Sequence, residues 1–468
     1  MLKKILMTLV TFTLLIHLTP LTTFVTTVNA SSTIHVDPGQ SIQEAIDSAQ
    51  PGDTVIVHAG FYRETVRVTK SLTLLGESAI IDGDEANRTV VEVIASNVAI
   101  SGFTVQNTSR AAGTSYAGIK ILGQSCNVTA NHVTKTKIGI FVTSQHTRIV
   151  NNTATNNGHG IALYSSSNTT IRANNVSANT IGISIALSNN NIIEDNTARN
   201  SSTGGHGMTL QSNSYNNTIR QNNLIYNYHG MWLSSSSDNK IINNTIAFNK
   251  LLGVELASSS NNTFIHNNFI NNPKHIVIDG STNTWEDTPS ARGNFWDDYG
   301  QLDIDGNGVG DSIYTINPNN QDRYPATTPQ RPIPITWNAT IYPTQLRSNS
   351  TISQIRFITT QRTISFNVTG PNYTTGFCNI TLPNKLVQDL WQNNFTILVA
   401  GTPPLTTQNF TDGSNTYIHF TYDHSERQIE IVSEFPLAIH TILIFLLLVL
   451  TIIAVTKQVK AKNAASKS

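Results

Sequence analysis

Six glycines recur at near-constant spacing and restrict what this chain can fold into. They are Gly139, Gly160, Gly182, Gly207, Gly230 and Gly253, separated by 21, 22, 25, 23 and 23 residues. Each is followed by an apolar residue, any residue and a second apolar residue: Ile140 and Val142, Ile161 and Leu163, Ile183 and Ile185, Met208 and Leu210, Met231 and Leu233, Val254 and Leu256. That is strand alternation. Later in each unit comes an asparagine pair, once Asp-Asn: Asn151-Asn152, Asn174-Asn175, Asp195-Asn196, Asn222-Asn223, Asn243-Asn244 and Asn267-Asn268. Just before most pairs lies a second short strand, as at 168–171 and 239–242. A unit of this length with two or three short strands and no helix predicts one coil of a parallel β-helix. No coil can bury its own apolar face, so the coils stack, and like residues form files along the axis. Leucine-rich repeats have a similar period but need a regular Leu framework that is missing, and propeller blades are longer.

The asparagines follow from the same geometry. A coil turns sharply at its corners, and asparagine tolerates left-handed backbone angles better than other non-glycine residues. Its amide can also bond the aligned amide of the next coil, so a file of asparagines satisfies itself as a ladder. Charge is correspondingly scarce: 12% of the 468 residues, with 29 basic balanced by 29 acidic. A neutral chain has no electrostatic reason to seek nucleic acid, which removes that partner class. Two cysteines, Cys126 and Cys378, fall in different predicted domains. They exclude a disulfide framework and read as unpaired thiols.

Both ends carry membrane signals. Lys3 and Lys4 precede an apolar run from Ile5 to Leu18, and Val28-Asn29-Ala30 fits a small-residue cleavage site, so residues 1–30 read as a secretory signal peptide. Leu437 to Thr456 has no Asp, Glu, Lys or Arg and is long enough to span a bilayer. Lys457, Lys460, Lys462 and Lys467 follow and place the tail inside. The expectation is a single-pass membrane protein with residues 434–456 as the span, 457–468 as a basic cytoplasmic tail, and the bulk of the chain outside. Seventeen Asn-x-Ser/Thr triplets, from Asn87 to Asn409, agree with export.

Upstream of the repeat, Ser41-Ile-Gln-Glu44 is a capping box opening a short helix, with Ile42, Ala45, Ile46 and Ala49 on one face. Such a helix can plug the open end of the stack. The stretch "SIQEAIDSAQPGDTVIVHAGFYRETVRVTKSLTLLGE" resembles the opening segment of right-handed parallel β-helices of the pectin-lyase-like superfamily. The Asn-rich coils, with "GNFWDDYGQLDIDGNGVGD" after them, resemble the NosD-like family of exported β-helix proteins, especially archaeal surface versions. The resemblance covers about residues 34 to 325. It implies an all-β right-handed parallel β-helix over 31–285. It also implies a repeat domain associated with carbohydrate binding and sugar hydrolysis, and a link to copper maturation of an exported reductase. The superfamily mixes lyases, hydrolases, binding proteins and structural proteins, so fold alone does not decide activity.

Within 286–324, "DIDGNGVGD" resembles a calcium loop. Asp303, Asp305, Asn307 and Asp311 take ligand positions 1, 3, 5 and 9, Gly308 the sharp turn, and the Val309 carbonyl position 7. Tyr314 stands where a bidentate Glu is usual, and Asp297 or Asp298 is the expected substitute. Calcium here would be structural, closing the far end of the helix. Four prolines between Pro325 and Pro334 read as a linker over 325–335. Alternating segments at 363–368, 395–399, 418–422 and 428–432 predict a small β-sandwich over 336–433. "FNVTGPNYTTGFCNITLP" resembles a β domain that recurs in archaeal surface proteins near their anchors. "EFP" before the span resembles a sorting signal cut by archaeosortases, with Ser433 at the usual Pro.

Three functions compete. A polysaccharide hydrolase needs two carboxylates across the sugar, and a lyase of this fold needs acid-bound calcium with a basic residue. The coils from 127 to 280 hold only Glu194, Asp195, Asp238, Glu255 and Asp279, so no carboxylate pair stands out, and catalysis is not the expectation. A copper-handling protein would use "HGM", present at 206–208 and 229–231. Strand alternation would put His206, Met208, His229 and Met231 on one face, a soft set suited to Cu(I). The Met positions are also core positions in the other coils. The third reading, which the sequence favours, is a non-catalytic surface protein that binds cell-surface or environmental glycans or builds the envelope. Trp232, Tyr164 and Phe141 would stack on sugar rings. Glu255 would stand one coil from Trp232 on the outward file Phe141, Ala162, Ser184, Thr209, Trp232, Glu255.

Overall fold

The computed structural model describes residues 31–109, 115–288, 291–305 and 307–434. The expected signal peptide and the apolar stretch from Leu437 to Thr456 lie outside them. Among the described residues no helix is long and apolar enough to cross a membrane.

Each turn of chain contributes one strand to each of three parallel sheets. Ile138–Val142 belongs to the third sheet, Arg148–Val150 to the first and Thr153–Thr155 to the second, and His159–Tyr164 returns to the third. Repetition builds sheets of eleven, eleven and ten strands, a parallel β-helix of right-handed type. Register places like over like: Ile138 pairs with His159 and Ile140 with Ile161, which stacks Gly139 on Gly160. The same register carries Gly182, Gly207, Gly230 and Gly253, and Gly118 precedes them in the file. Met208, Met231, Ile140, Ile161, Ile183 and Val254 are fully buried in one continuous core. Each such side chain is worth roughly 1.5–3 kcal/mol of burial.

Close approach, rather than backbone angle, dictates the glycines. A Cβ on Gly139 would come within 2.3 Å of the Gly160 carbonyl oxygen, and one on Gly182 within 2.4 Å of the Gly207 oxygen. The asparagines divide into two adjacent files with different tasks. At the corner between the first and second sheets, the left-handed residues include Ala130, Asn151, Ala173, Asp195, Gln221, Asn243 and His266. The ladder is the next residue along: Asn131, Asn152, Asn174, Asn196, Asn222, Asn244, Asn267 and Asn294. Each amide Nδ2 in it donates to the following Oδ1 at 3.0–3.1 Å. Each backbone N–H donates to the same oxygen. The ladder ends on Asp322, which also accepts from Trp296 Nε1. Burial pushes the Asp322 carboxyl up to about 6 against these donors. Shorter ladders run through Asn191, Asn217, Asn239 and Asn262, and through Asn227, Asn249 and Asn272, at the other two corners. The expected single role for corner asparagines is therefore split: the ladder residues are interior, and a mixed set of residue types takes the strained angle.

Helix Ile42–Ser48 covers the N-terminal end, with Ile42, Ala45 and Ile46 buried. Ser41 Oγ accepts from the Glu44 N–H as the capping box predicts. The remaining first-turn amides, on Ile42 and Gln43, donate to Glu64 of the next turn. At the far end an aromatic stack closes the core. Trp285 lies on Phe264 at 4.6 Å between ring centres, Trp296 on Phe269 at 4.3 Å, and Tyr314 on Trp296 at 4.3 Å.

The proline-rich stretch expected as a linker is folded. Gln330 N–H donates to Asn268 Oδ1 and its carbonyl accepts from Asn268 Nδ2. Arg331–Trp337 then pairs with Thr340–Ser348, its prolines tolerated on an edge strand. Beyond it, antiparallel sheets of five and four strands share one core. A helix that strand patterning did not predict, Asn384–Trp391, packs Leu386, Val387, Leu390 and Trp391 into that core. Cys126 and Cys378 are both buried and free, and burial pushes the Cys378 thiol up to about 12.

Candidate functional site

The outward face of the third sheet carries two files. One reads Ile138, His159, Ile181, His206, His229, Leu252; the other reads Phe141, Ala162, Ser184, Thr209, Trp232, Glu255. Members of both files share a face although they are three residues apart. Phe141 packs with Ile138 and Ala162, and the His206 ring stacks on Trp232 with centres 5.4 Å apart. The glycine between them interrupts the two-residue alternation. This overturns the expected copper set: His206 and His229 face outward with Trp232, while Met208 and Met231 point into the core and are fully buried. Imidazoles and thioethers lie on opposite sides of the strands.

The imidazoles build an aromatic platform instead. His206 and His229 are 4.8 Å apart, and Tyr228 stacks on His229 at 5.2 Å. His229 Nδ1 lies 3.5 Å from Glu255 Oε2. Burial, then the neighbouring His229, holds the His206 imidazole down at about 4, so it is neutral at ordinary pH. Trp232 is half-buried and Glu255 lies directly beyond it. Phe141 is four turns away, roughly 19 Å at the strand spacing, and packs on small neighbours. Tyr164 is exposed but stands in a separate file over Ala186. The structure thus brings Trp232 and Glu255 together, and neither Phe141 nor Tyr164 joins them. Tyr228 and an exposed stacked pair, Tyr226 on Phe248 at 5.2 Å, were missed. Their signal was two bulky rings at left-handed corner positions, where such residues are strained.

At the calcium-like loop, the carboxylates serve the loop's own amides. Asp303 accepts from Asn307 and Gly308, Asp305 from Asn307, and Asp311 from Ile304. Asn307 Oδ1 accepts from Val309. The Asp303 and Asp305 carboxyls lie in contact, and among the described residues no third acid joins them within 4.8 Å. Among the described residues the one set of three metal-type donors within 4.8 Å is His275, Asp297 and Asp298. Asp297 and Asp298 therefore serve His275 rather than the loop. This set lines a cavity of about 470 Å³ with Tyr314 and Asn272. His275 Nδ1 faces Asn272 Nδ2, and the ladder holds the Asn272 oxygen on Asn249. Nδ1 therefore accepts, and the Nε2 proton points at Asp297 Oδ1, 2.8 Å away. That tautomer does not fit a metal on Nε2.

Comparison with known proteins places these coils. Residues 91–301 match the family model described as NosD, periplasmic copper-binding protein. Among solved structures, the Dettilon tailspike protein is 14% identical with TM-score 0.43, over 83% of this chain and 89% of that one. ORF18 of Geobacillus virus E2 is 14% identical with TM-score 0.44, over 75% and 74%. Pectate lyase Pel9A is 14% identical with TM-score 0.36, over 61% and 86%. No curated protein matches the chain.

Proposed function

Residues 91–301 being a NosD-like parallel β-helix, we propose that the chain is a non-catalytic, glycan-binding protein of the cell surface, with its ligand on the outward face of the third sheet. The observation that carries this reading is the half-buried Trp232, backed by His206 and flanked one turn on by Glu255. An indole offers its face to the C–H side of a sugar ring, and a carboxylate beside it accepts from ring hydroxyls. Toward the N-terminus the same file carries Thr209, Ser184 and Ala162, all small and buried, so the part of this file open to a ligand begins at Trp232. Glu255 Oε2 lies 3.5 Å from His229 Nδ1 without a hydrogen bond between them, so the carboxylate can accept from a ligand as a single acid, unlike the paired carboxylates hydrolysis uses. The calcium loop, the membrane anchor and the copper set play no part in this reading.

A glycan array is the test. The wild-type chain is expected to bind a defined subset of glycans, and Trp232→Ala to weaken that binding about tenfold, the loss of one stacking contact. Glu255→Gln is expected to weaken binding with no product released by either protein. Silence across the array points to a purely structural role. Release of reducing or unsaturated sugar by the wild type, lost in Glu255→Gln, establishes catalysis instead.

A further inference from the structure

The sequence carries seventeen sequons from Asn87 to Asn409. None falls in a strand of the third sheet, from Val66–Val68 to Lys274–Asp279. In the coils they concentrate at corners, for a geometric reason. A corner reads left-handed residue, ladder residue, first residue of the next strand. Where the first is Asn and the third Thr, that is a sequon. Asn168, Asn216 and Asn261 are such residues at the corner leading into the first sheet. All three are exposed, and no side-chain hydrogen bond engages them among the described residues. The buried ladder member follows each, Thr169, Asn217 and Asn262, and Thr170, Thr218 and Thr263 then open first-sheet strands. They occupy every second turn of one file, because Asn190 and Asp238 in the turns between carry no sequon. Neighbours are thus roughly 10 Å apart, twice the strand spacing, which gives each pendant sugar its own width. Asn151 stands exposed in the same way at the next corner. At the corner entering the third sheet Asn200 is exposed and left-handed, and Asn107 of the same file is left-handed and half-buried.

Other sequons are engaged. Asn379 is buried, its Nδ2 donating to Asn307 O and its Oδ1 meeting His419 Nδ1. Asn349 Nδ2 donates to Thr375 O and its Oδ1 accepts from the Phe377 N–H. Asn107 Nδ2 donates to Asp82.

We propose that Asn168, Asn216 and Asn261 are asparagine-linked glycosylation sites, forming a row of glycans along one corner that leaves the third sheet bare. The donor class is a lipid-linked oligosaccharide. The Nδ2–C1 bond forms, the C1–O bond to the lipid phosphate breaks, the amide loses one proton and the phosphate leaves with the bonding electrons. The step is redox-neutral. It requires the export expected from residues 1–30, and it is independent of what the third sheet binds.

Glycopeptide mass spectrometry tests it, on the full chain recovered from a producing cell that attaches asparagine-linked glycans. Glycan is expected at Asn168, Asn216 and Asn261, with none at Asn107, Asn349 or Asn379. Thr170→Ala removes the Asn168 sequon without touching the ladder, and is expected to lose one glycan mass and no other. Bare Asn168, Asn216 and Asn261 on a chain whose signal peptide has been removed overturn the proposal, as does glycan on Asn379 of the folded protein. A chain that keeps its first 30 residues and carries no sugar overturns the export premise and the proposal with it.

Discussion

Asn222→Leu is expected to destabilise the protein by about 3–6 kcal/mol, although it keeps the branched outline of the side chain and removes no charge. Asn222 is fully buried. Its Oδ1 accepts from both the N–H and the Nδ2 of Asn196, and its own Nδ2 donates to Ile193 O, Arg220 O and Asn244 Oδ1. Leucine leaves two buried donors of Asn196 without an acceptor, at roughly 1–3 kcal/mol each, and leaves carbonyls short of a donor. Denaturant unfolding measures the loss through the midpoint at unchanged slope. Asn223→Ala, one residue on but exposed, is expected to stay within about 0.5 kcal/mol. Equal effects from the two would show that the ladder contributes nothing beyond a corner residue's backbone preference.

Gly182→Ala is the second large expected effect, about 3 kcal/mol or more from a single methyl. The added carbon would meet the Gly207 carbonyl oxygen at 2.4 Å and the Ala198 Cβ at 3.0 Å. The first obstacle is backbone held in a parallel ladder, so neither partner can rotate away, and overpacking of this kind forces the turns apart. Gly413→Ala, where nothing lies within 4 Å, is the control and is expected to be near neutral. A tolerated Gly182→Ala would mean that the turns are not in vertical contact at the glycine file.

These two residues show why much of the fold was legible. Gly182 and Asn222 are specified by contact with their counterparts one turn away, so the period of the sequence is the period of the structure, and files could be read by alignment. Finer assignments failed where the local rule broke. Strand alternation put His206 and Met208 together, but the glycine between them, necessary for vertical contact, cancels one step of the alternation and separates them. Two files of asparagine looked like one because ladder and left-handed residue are adjacent and either can be Asn. Helix Asn384–Trp391 was hidden because its buried residues, Leu386, Val387, Leu390 and Trp391, occupy two turns between segments of strand character. At the site, Trp232 and Glu255 were found because they share a file. Tyr228 and the pair Tyr226 and Phe248 were not, because their contacts run around a corner, where no alternation rule reaches. The calcium motif was legible as a motif, but the amide contacts of its carboxylates, Asn307 and Gly308 on Asp303 and Ile304 on Asp311, were not, because ligand spacing does not specify them.

The files of the β-helix exist only if equivalent residues of successive turns are vertical neighbours. Thr209 Oγ1 donates to Ser184 Oγ at 3.3 Å, one turn apart, close enough for a disulfide once both are cysteine. Mild oxidation of the Ser184→Cys, Thr209→Cys double variant, followed by peptide mass spectrometry, reads this directly. The expected result is near-complete intramolecular cross-linking, with none in Ser184→Cys, Trp232→Cys, whose partners are two turns apart. Free thiols in the first variant, or cross-linking in both, would contradict the stacked register.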